Sequence, residues 1–151
     1  MQLGSLDHVN VRTSRVQQMR EWYVRVLGMV DGDRPPFPFP GAWLYVGPNP
    51  VVHLVGVADE PANTDPKLEH FAFSATGLEG FRARLDAADE RYDVRVVPKI
   101  GIVQVNVWDP DGNHIHIDFQ PTEPGAADAP AWGHRDALGR SMANSPAAKT
   151  P

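Results

Sequence analysis

The stretch Leu6-Asp7-His8-Val9-Asn10-Val11 is echoed 62 positions later by Leu68-Glu69-His70-Phe71-Ala72-Phe73. Each copy runs apolar, acidic, histidine, then alternating residues. Each is followed by an amphipathic pattern in nearly the same register: Val16, Met19, Tyr23 and Val26 in the first copy, Leu78, Phe81, Leu85 and Ala88 in the second. Each copy then closes on a second histidine flanked by apolar residues, Val52-His53-Leu54 and Ile115-His116-Ile117. A duplication at this period constrains the fold more tightly than composition does, because both halves must be the same supersecondary unit. It predicts an α+β chain of two β-α-β-β-β modules, at about 4–58 and 68–120. Their mixed sheets are expected to form a half-open barrel with the helices outside. Residues 1–120 then make a single domain, followed by a Pro/Ala-rich tail over 121–151 that is expected to add little to the core.

Local signals fill in the modules. Period-two alternation predicts a strand over 5–12, with His8 and Asn10 on one face and Val9 and Val11 on the other. Ser14 with Gln17 three residues on fits a capping box for a helix that runs to about Leu27 and stops at Gly28. Short strands are expected at 29–31 and 43–46, a turn at 47–50, and a histidine strand at 51–57. A polar joiner occupies 58–67. The second module repeats the order, with a strand at 68–75, a helix at 78–89, strands at 94–97 and 101–108, and a last strand at 114–119. Asp109-Pro110-Asp111-Gly112 is a strong type I turn before that last strand. Trp132 suggests that part of the tail docks.

Between the second and third strands lies Arg34-Pro35-Pro36-Phe37-Pro38-Phe39-Pro40-Gly41. Its prolines forbid a helix or a central strand. The loop is either a lid packed on the core or an aromatic wall over a pocket. In the second case Arg34 would reach an anionic group, and Phe37, Phe39, Trp43 and Tyr45 would suit a flat ligand.

Alternation separates two kinds of face. Val9, Val11, Val52, Leu54, Phe71, Phe73, Ile115 and Ile117 suit packing against helices. The opposite faces carry His8, His53, His70 and His116, with Gln104, Asn106, His114 and Asp118 on the strands beside them. A one-residue slip in any strand would reverse its face, so the agreement is informative. A lone histidine there reads as a satisfied core or rim residue. Four at repeat-related positions read as metal ligands, because crowded imidazoles need hydrogen-bond partners or an ion. Imidazole nitrogens favour iron(II), zinc, nickel, manganese, cobalt or copper over magnesium and calcium.

The chain has 151 residues, no cysteine and a net charge of −5. Thiolate metal sites and disulfides are therefore excluded, and a nucleic-acid partner is disfavoured. No apolar run reaches the roughly 18 residues that span a bilayer, so no membrane partner is expected. The N-terminus lacks a charged-then-apolar leader pattern, and a cytoplasmic location is expected.

Leu-Asp-His at 6–8, the His53 strand, Leu-Glu-His-Phe-Ala-Phe at 68–73 and Asp-Pro-Asp-Gly-Asn-His-Ile-His at 109–116 together resemble the vicinal oxygen chelate superfamily. That superfamily includes glyoxalase I, extradiol ring-cleavage dioxygenases, methylmalonyl-CoA epimerase and antibiotic-resistance proteins. The resemblance covers about residues 4–120. It implies metal ligands at His8, His53, His70 and His116. It departs from the family at two of them, where histidine stands in place of the usual glutamate: His116, and His53 by comparison with bacterial glyoxalase I. A neutral ligand set leaves the charge of a divalent ion unbalanced and favours an anionic, chelating substrate. It also lacks the carboxylate that a glyoxalase uses to move a substrate proton. Asp118 could compensate as a base or as a partner to a ligand, or be a rim carboxylate; His114 is a further catalytic candidate. The leading expectation is an iron(II)-dependent extradiol-type dioxygenase acting on a small substrate with two neighbouring oxygens. The alternatives are a glyoxalase I-like lyase or isomerase with zinc or nickel, and a drug- or metabolite-binding protein without turnover. Exposed sheet edges and an open cup suggest a homodimer.

Overall fold

The computed structural model describes residues 1, 5–62 and 67–130. Trp132 and the tail beyond residue 130 lie outside the described residues. The chain divides into two compact units, one of residues 1–66 with 109–111, the other of residues 67–108 with 112–151.

The first unit contains β1 (Val9–Thr13), α1 (Val16–Arg25), β2 (Val30–Gly32), β3 (Gly41–Val46) and β4 (Asn49–Gly56). The second contains β5 (His70–Ala75), α2 (Leu78–Ala87), β6 (Tyr92–Val96), β7 (Val103–Trp108) and β8 (His114–Phe119), then a 3-10 turn at Ala126–Asp128. The sheets have the same topology, in the orders β1-β4-β3-β2 and β5-β8-β7-β6. In each, the first strand runs parallel to the last and the other pairings are antiparallel. The α+β class and the duplication are thus present as expected, and neither sheet closes on itself.

Alternation decides which face of each sheet is buried. Val52 and Leu54 of β4, Val103, Val105 and Val107 of β7, and Ile115, Ile117 and Phe119 of β8 form the apolar faces. Helix α1 packs on β3 and β4. It buries Met19, Trp22 and Tyr23, with Val26 just past its end. Helix α2 buries Leu78 and Leu85, and Phe81 meets Phe119 with ring centroids 5.9 Å apart. The Tyr23 hydroxyl donates to Asp109 Oδ2 at 2.9 Å, a buried bond within the first unit. Burial and the neighbouring Asp109 raise the Tyr23 phenol well above its usual range.

Three local expectations need correction. Ser14 is exposed and does not cap α1. Instead Thr13 Oγ1, fully buried, accepts from the Arg15 amide at 2.9 Å. A Thr hydroxyl that folds back on the backbone two residues ahead does locally what the capping box would have done. The first strand begins at Val9, so His8 stands just before it. The segment after β8 does not hang free of the core: Ala126 is buried and the Val96 amide donates to the Pro130 carbonyl at 2.9 Å. Glu123 Oε2 accepts from the Gly77 and Leu78 amides at 2.9 and 3.4 Å. Those amides open α2, whose N-terminus lacks a cap from its own sequence.

Candidate metal centre

In the first unit, aromatic rings run from the proline loop to His8. Phe37 and Phe39 stack at 5.3 Å, and Phe37 meets Trp43 at 6.4 Å. Trp43 stacks on His53 at 4.2 Å, and His53 on His8 at 3.9 Å. The register causes this, because Trp43 and His53 are cross-strand partners on β3 and β4. Arg34 belongs to the same loop. Its guanidinium carbon is 5.0 Å from both the Phe37 and Phe39 rings, and its Nη2 donates to the Phe39 carbonyl at 3.0 Å. Gly41 permits this closure, since a Cβ there would stand 2.3 Å from the Leu54 carbonyl oxygen and 3.2 Å from Arg34 Nη2. Tyr45 turns away from the stack. The ladder shifts register between Leu44 and Tyr45, and the Tyr45 hydroxyl donates to the Asp33 carbonyl at 2.7 Å.

His53 is buried, and its Nε2 has no hydrogen-bond partner. Burial first, then the neighbouring His8, lowers its pKa from 6.5, while a backbone hydrogen bond with Pro50 opposes the shift. In the tautomer with its proton on Nδ1, the ring keeps a lone pair on this buried Nε2. An orphaned buried nitrogen costs about 1–3 kcal/mol, and coordination of a cation would use it.

In the second unit the polar face of the sheet is continuous. One cross-strand row holds Asp93, Asn106, His116 and Ala72, and the next holds Arg95, Gln104, Asp118 and Ser74. His70 and His114 are partners in a third row. His70 stacks on His116 at 3.9 Å. One ring nitrogen from each of His70, His114 and His116 lies within 4.8 Å of the others, a group that could hold a metal ion. Gln104 Nε2 is 3.2 Å from His116 Nδ1. Burial first, then His70 and His114, lower the His116 pKa from 6.5. A lowered pKa keeps an imidazole neutral, the form that binds metal. Asp118 Oδ1 is buried without a hydrogen-bond partner.

The structure thus brings His8 to His53 and His70 to His116, each pair within its own unit. Sequence reasoning missed Glu69 as a site residue. Hydrogen bonds from His70 and then from His114 hold its carboxyl down to about 2. It also missed the buried pair Arg95–Asp93, at 2.9 Å, beside Gln104 and Asn106. The alternation of Asp93 and Arg95 along β6 was the available signal.

The family follows from comparison with known proteins. Residues 5–117 match the model of the Glyoxalase/Bleomycin resistance protein/Dioxygenase superfamily. The chain belongs to this superfamily. It is 32% identical over 137 residues to Glyoxylase I 4 of Arabidopsis thaliana, covering 82% of this chain and 77% of the relative. Among solved structures, a glyoxylase/bleomycin resistance protein/dioxygenase domain from Frankia sp. superposes with a TM-score of 0.67 at 17% identity, covering 79% of this chain and 93% of that one. Lactoylglutathione lyase from Agrobacterium tumefaciens gives 0.61 at 16% identity, covering 87% and 98%. The glyoxalase family protein from Enterococcus faecalis gives 0.60 at 24%, covering 76% and 96%. These structural likenesses establish the fold alone. Among the described residues no helix is long and apolar enough to cross a membrane.

Proposed function

We propose that this chain is a metal-dependent enzyme whose small substrate chelates the ion through two neighbouring oxygens. The ligand set proposed is His8, His53, His70 and His116. The observation that carries the reading is the state of the imidazoles. The buried His53 Nε2 has no protein partner, and the lowered pKa values of His53 and His116 favour the neutral ring.

Within that class, iron(II)-dependent ring cleavage of the extradiol type is the leading reaction. An all-imidazole set leaves the ion's charge for an anionic, bidentate substrate. The proline loop offers half-exposed Phe37 and Phe39 beside a guanidinium, surroundings suited to a flat anionic molecule. Gln104 and Asn106 offer amides beside the histidines, and Asp118 Oδ1 is an acceptor without a protein partner. The Arabidopsis relative's name favours a second reading, a glyoxalase-type lyase or isomerase with zinc or nickel. There Asp118 would have to supply the base that a glutamate ligand usually provides.

The test is elemental analysis of the purified protein, followed by anaerobic loading with each candidate metal and a screen of catechols and of 2-oxoaldehyde–thiol adducts. Substrate-dependent oxygen uptake with iron supports the leading reaction. Turnover without oxygen supports the second. Full ligand binding by stripped protein, with no turnover under any metal, overturns both in favour of a binding protein.

A further inference from the structure

We infer that Glu69, anchored by His114 and Asn106, is a positioning carboxylate that turns Nε2 of His70 toward a metal ion, and that His114 supports this carboxylate rather than binding the ion. The inference rests on the metal reading proposed above and adds residues that reading does not use.

A chain of hydrogen bonds runs across the polar face of the second sheet. Asn106 Nδ2 donates to the Asp93 carbonyl at 3.2 Å. That bond fixes the amide, because a carbonyl can only accept, and so Asn106 Oδ1 is the atom 3.0 Å from His114 Nε2. The other nitrogen of the same ring, Nδ1, lies 2.7 Å from Glu69 Oε1. Both nitrogens of His114 face oxygen acceptors, and donation to both needs a proton on each nitrogen, a form of the ring with no lone pair for an ion. The ring is also held flat. Trp108 stacks on it at 5.1 Å with 7° between planes, and the Arg91 guanidinium carbon sits 4.6 Å from the Trp108 ring.

The anchored carboxylate acts on its neighbour. Glu69 Oε2 accepts from His70 Nδ1. With that proton committed, His70 presents Nε2. This is the arrangement by which a carboxylate fixes the tautomer and orientation of a metal-binding histidine. The first unit repeats half of the device, with Asp7 Oδ2 lying 3.5 Å from His8 Nδ1. The position that would correspond to His114 is Val51, which offers no second anchor. The acid-then-histidine pair thus recurs in both repeats, while the complete clamp belongs to the second alone.

The experiment uses the full chain and the variants Glu69→Ala, Glu69→Gln, His114→Ala and His70→Ala. Metal-free protein is examined first, by long-range proton–nitrogen NMR of His70. The expected result is the Nδ1–H tautomer in the wild type, a tautomer mixture in Glu69→Ala, and partial recovery in Glu69→Gln, whose amide oxygen still accepts. An unchanged tautomer in Glu69→Ala overturns the inference whatever the metal does. Copper(II) is then the probe, with its affinity measured by chelator competition and its coordinated nitrogens counted by electron paramagnetic resonance. Glu69→Ala should weaken binding by about 10–100-fold with the nitrogen count unchanged. His114→Ala should also keep the count, while His70→Ala loses a nitrogen. Loss of a nitrogen in His114→Ala makes it a ligand and overturns the inference. A wild-type chain that takes up no metal, yet shows the fixed tautomer, overturns the metal reading and leaves the hydrogen-bond clamp standing as structure only.

Discussion

The indole of Trp43 lies flat on the imidazole of His53, with centroids 4.2 Å apart and planes 6° from parallel. The pair joins the aromatic loop to the histidines of the first unit, and it buries the ring whose free nitrogen the proposed function needs. Replacing Trp43 with alanine should cost about 2–3 kcal/mol, below the ~3–5 of a fully buried tryptophan because the residue is only half-buried. It should also return the His53 pKa toward 6.5, since burial is the first cause of its shift. An NMR titration of the His53 ring that does not move in Trp43→Ala would show that the indole is not what excludes water.

Acid should weaken the metal-free fold through the same groups. His53 and His116 both have pKa values lowered from 6.5 in the folded chain, chiefly by burial. Below that pH the unfolded chain binds more protons than the folded one, so stability falls as the pH drops through 6.5 toward the folded values. The slope is at most about 1.4 kcal/mol per pH unit for each group. Urea midpoints between pH 8 and 5 should show this decline, and it should flatten in a His53→Asn, His116→Asn double variant. Equal slopes in the two proteins would assign the acid sensitivity elsewhere.

The segment after β8 offers a test of a different kind. Glu123 reaches back across 46 positions to the Gly77 amide at the open end of α2. A carboxylate there satisfies orphan donors and meets the positive end of the helix. Glu123→Ala should cost about 1 kcal/mol, and Glu123→Gln less. Truncation after residue 120 should cost more than either, because it also removes buried Ala126 and the bond from Val96 to Pro130. Denaturant melts of the three variants, compared at equal slope, check the order.

These cases show what the chain made legible. Period-two alternation and the 62-residue echo fixed the strands, their faces and the equivalence of the two sheets, because burial of Ile115 and Ile117 forces His114 and His116 to the other side. The α1 cap was misread because Ser14 and Thr13 are chemically alike, and only the backbone path selects Thr13. Glu123 could not be found from local pattern, since its partner is an amide far away in sequence. The same holds for Glu69. The sequence shows it beside His70, but only the parallel register of β5 with β8 places His114 within reach of its other oxygen.

Arg34 stands between two aromatic rings and ties its own loop through the Phe39 carbonyl. Arg34→Ala should loosen Phe37 and Phe39 and raise KM for an anionic aromatic substrate by about tenfold, with a smaller change in kcat. Arg34→Lys should not restore it, because an ammonium lacks the planar face that stacks on both rings. Unchanged kinetics in both variants would reduce Arg34 to a loop fastener with no part in binding.

The ligand set is the most exposed of these expectations. Metal binding must compete with protons for the imidazole nitrogens, so affinity should fall below about pH 6. Absorption-edge spectroscopy of the loaded protein should give metal–nitrogen distances of about 2.0–2.2 Å. His70→Ala should lose metal and activity together, and so should His8→Ala. His53→Ala should weaken binding less, as the fourth ligand beside three remaining imidazoles. The pair of replacements with the sharpest outcome is His8→Ala with His70→Ala. Full metal occupancy in that double variant at pH 7 would mean that the repeat-related histidines do not hold the ion, and the proposed centre would fall with them.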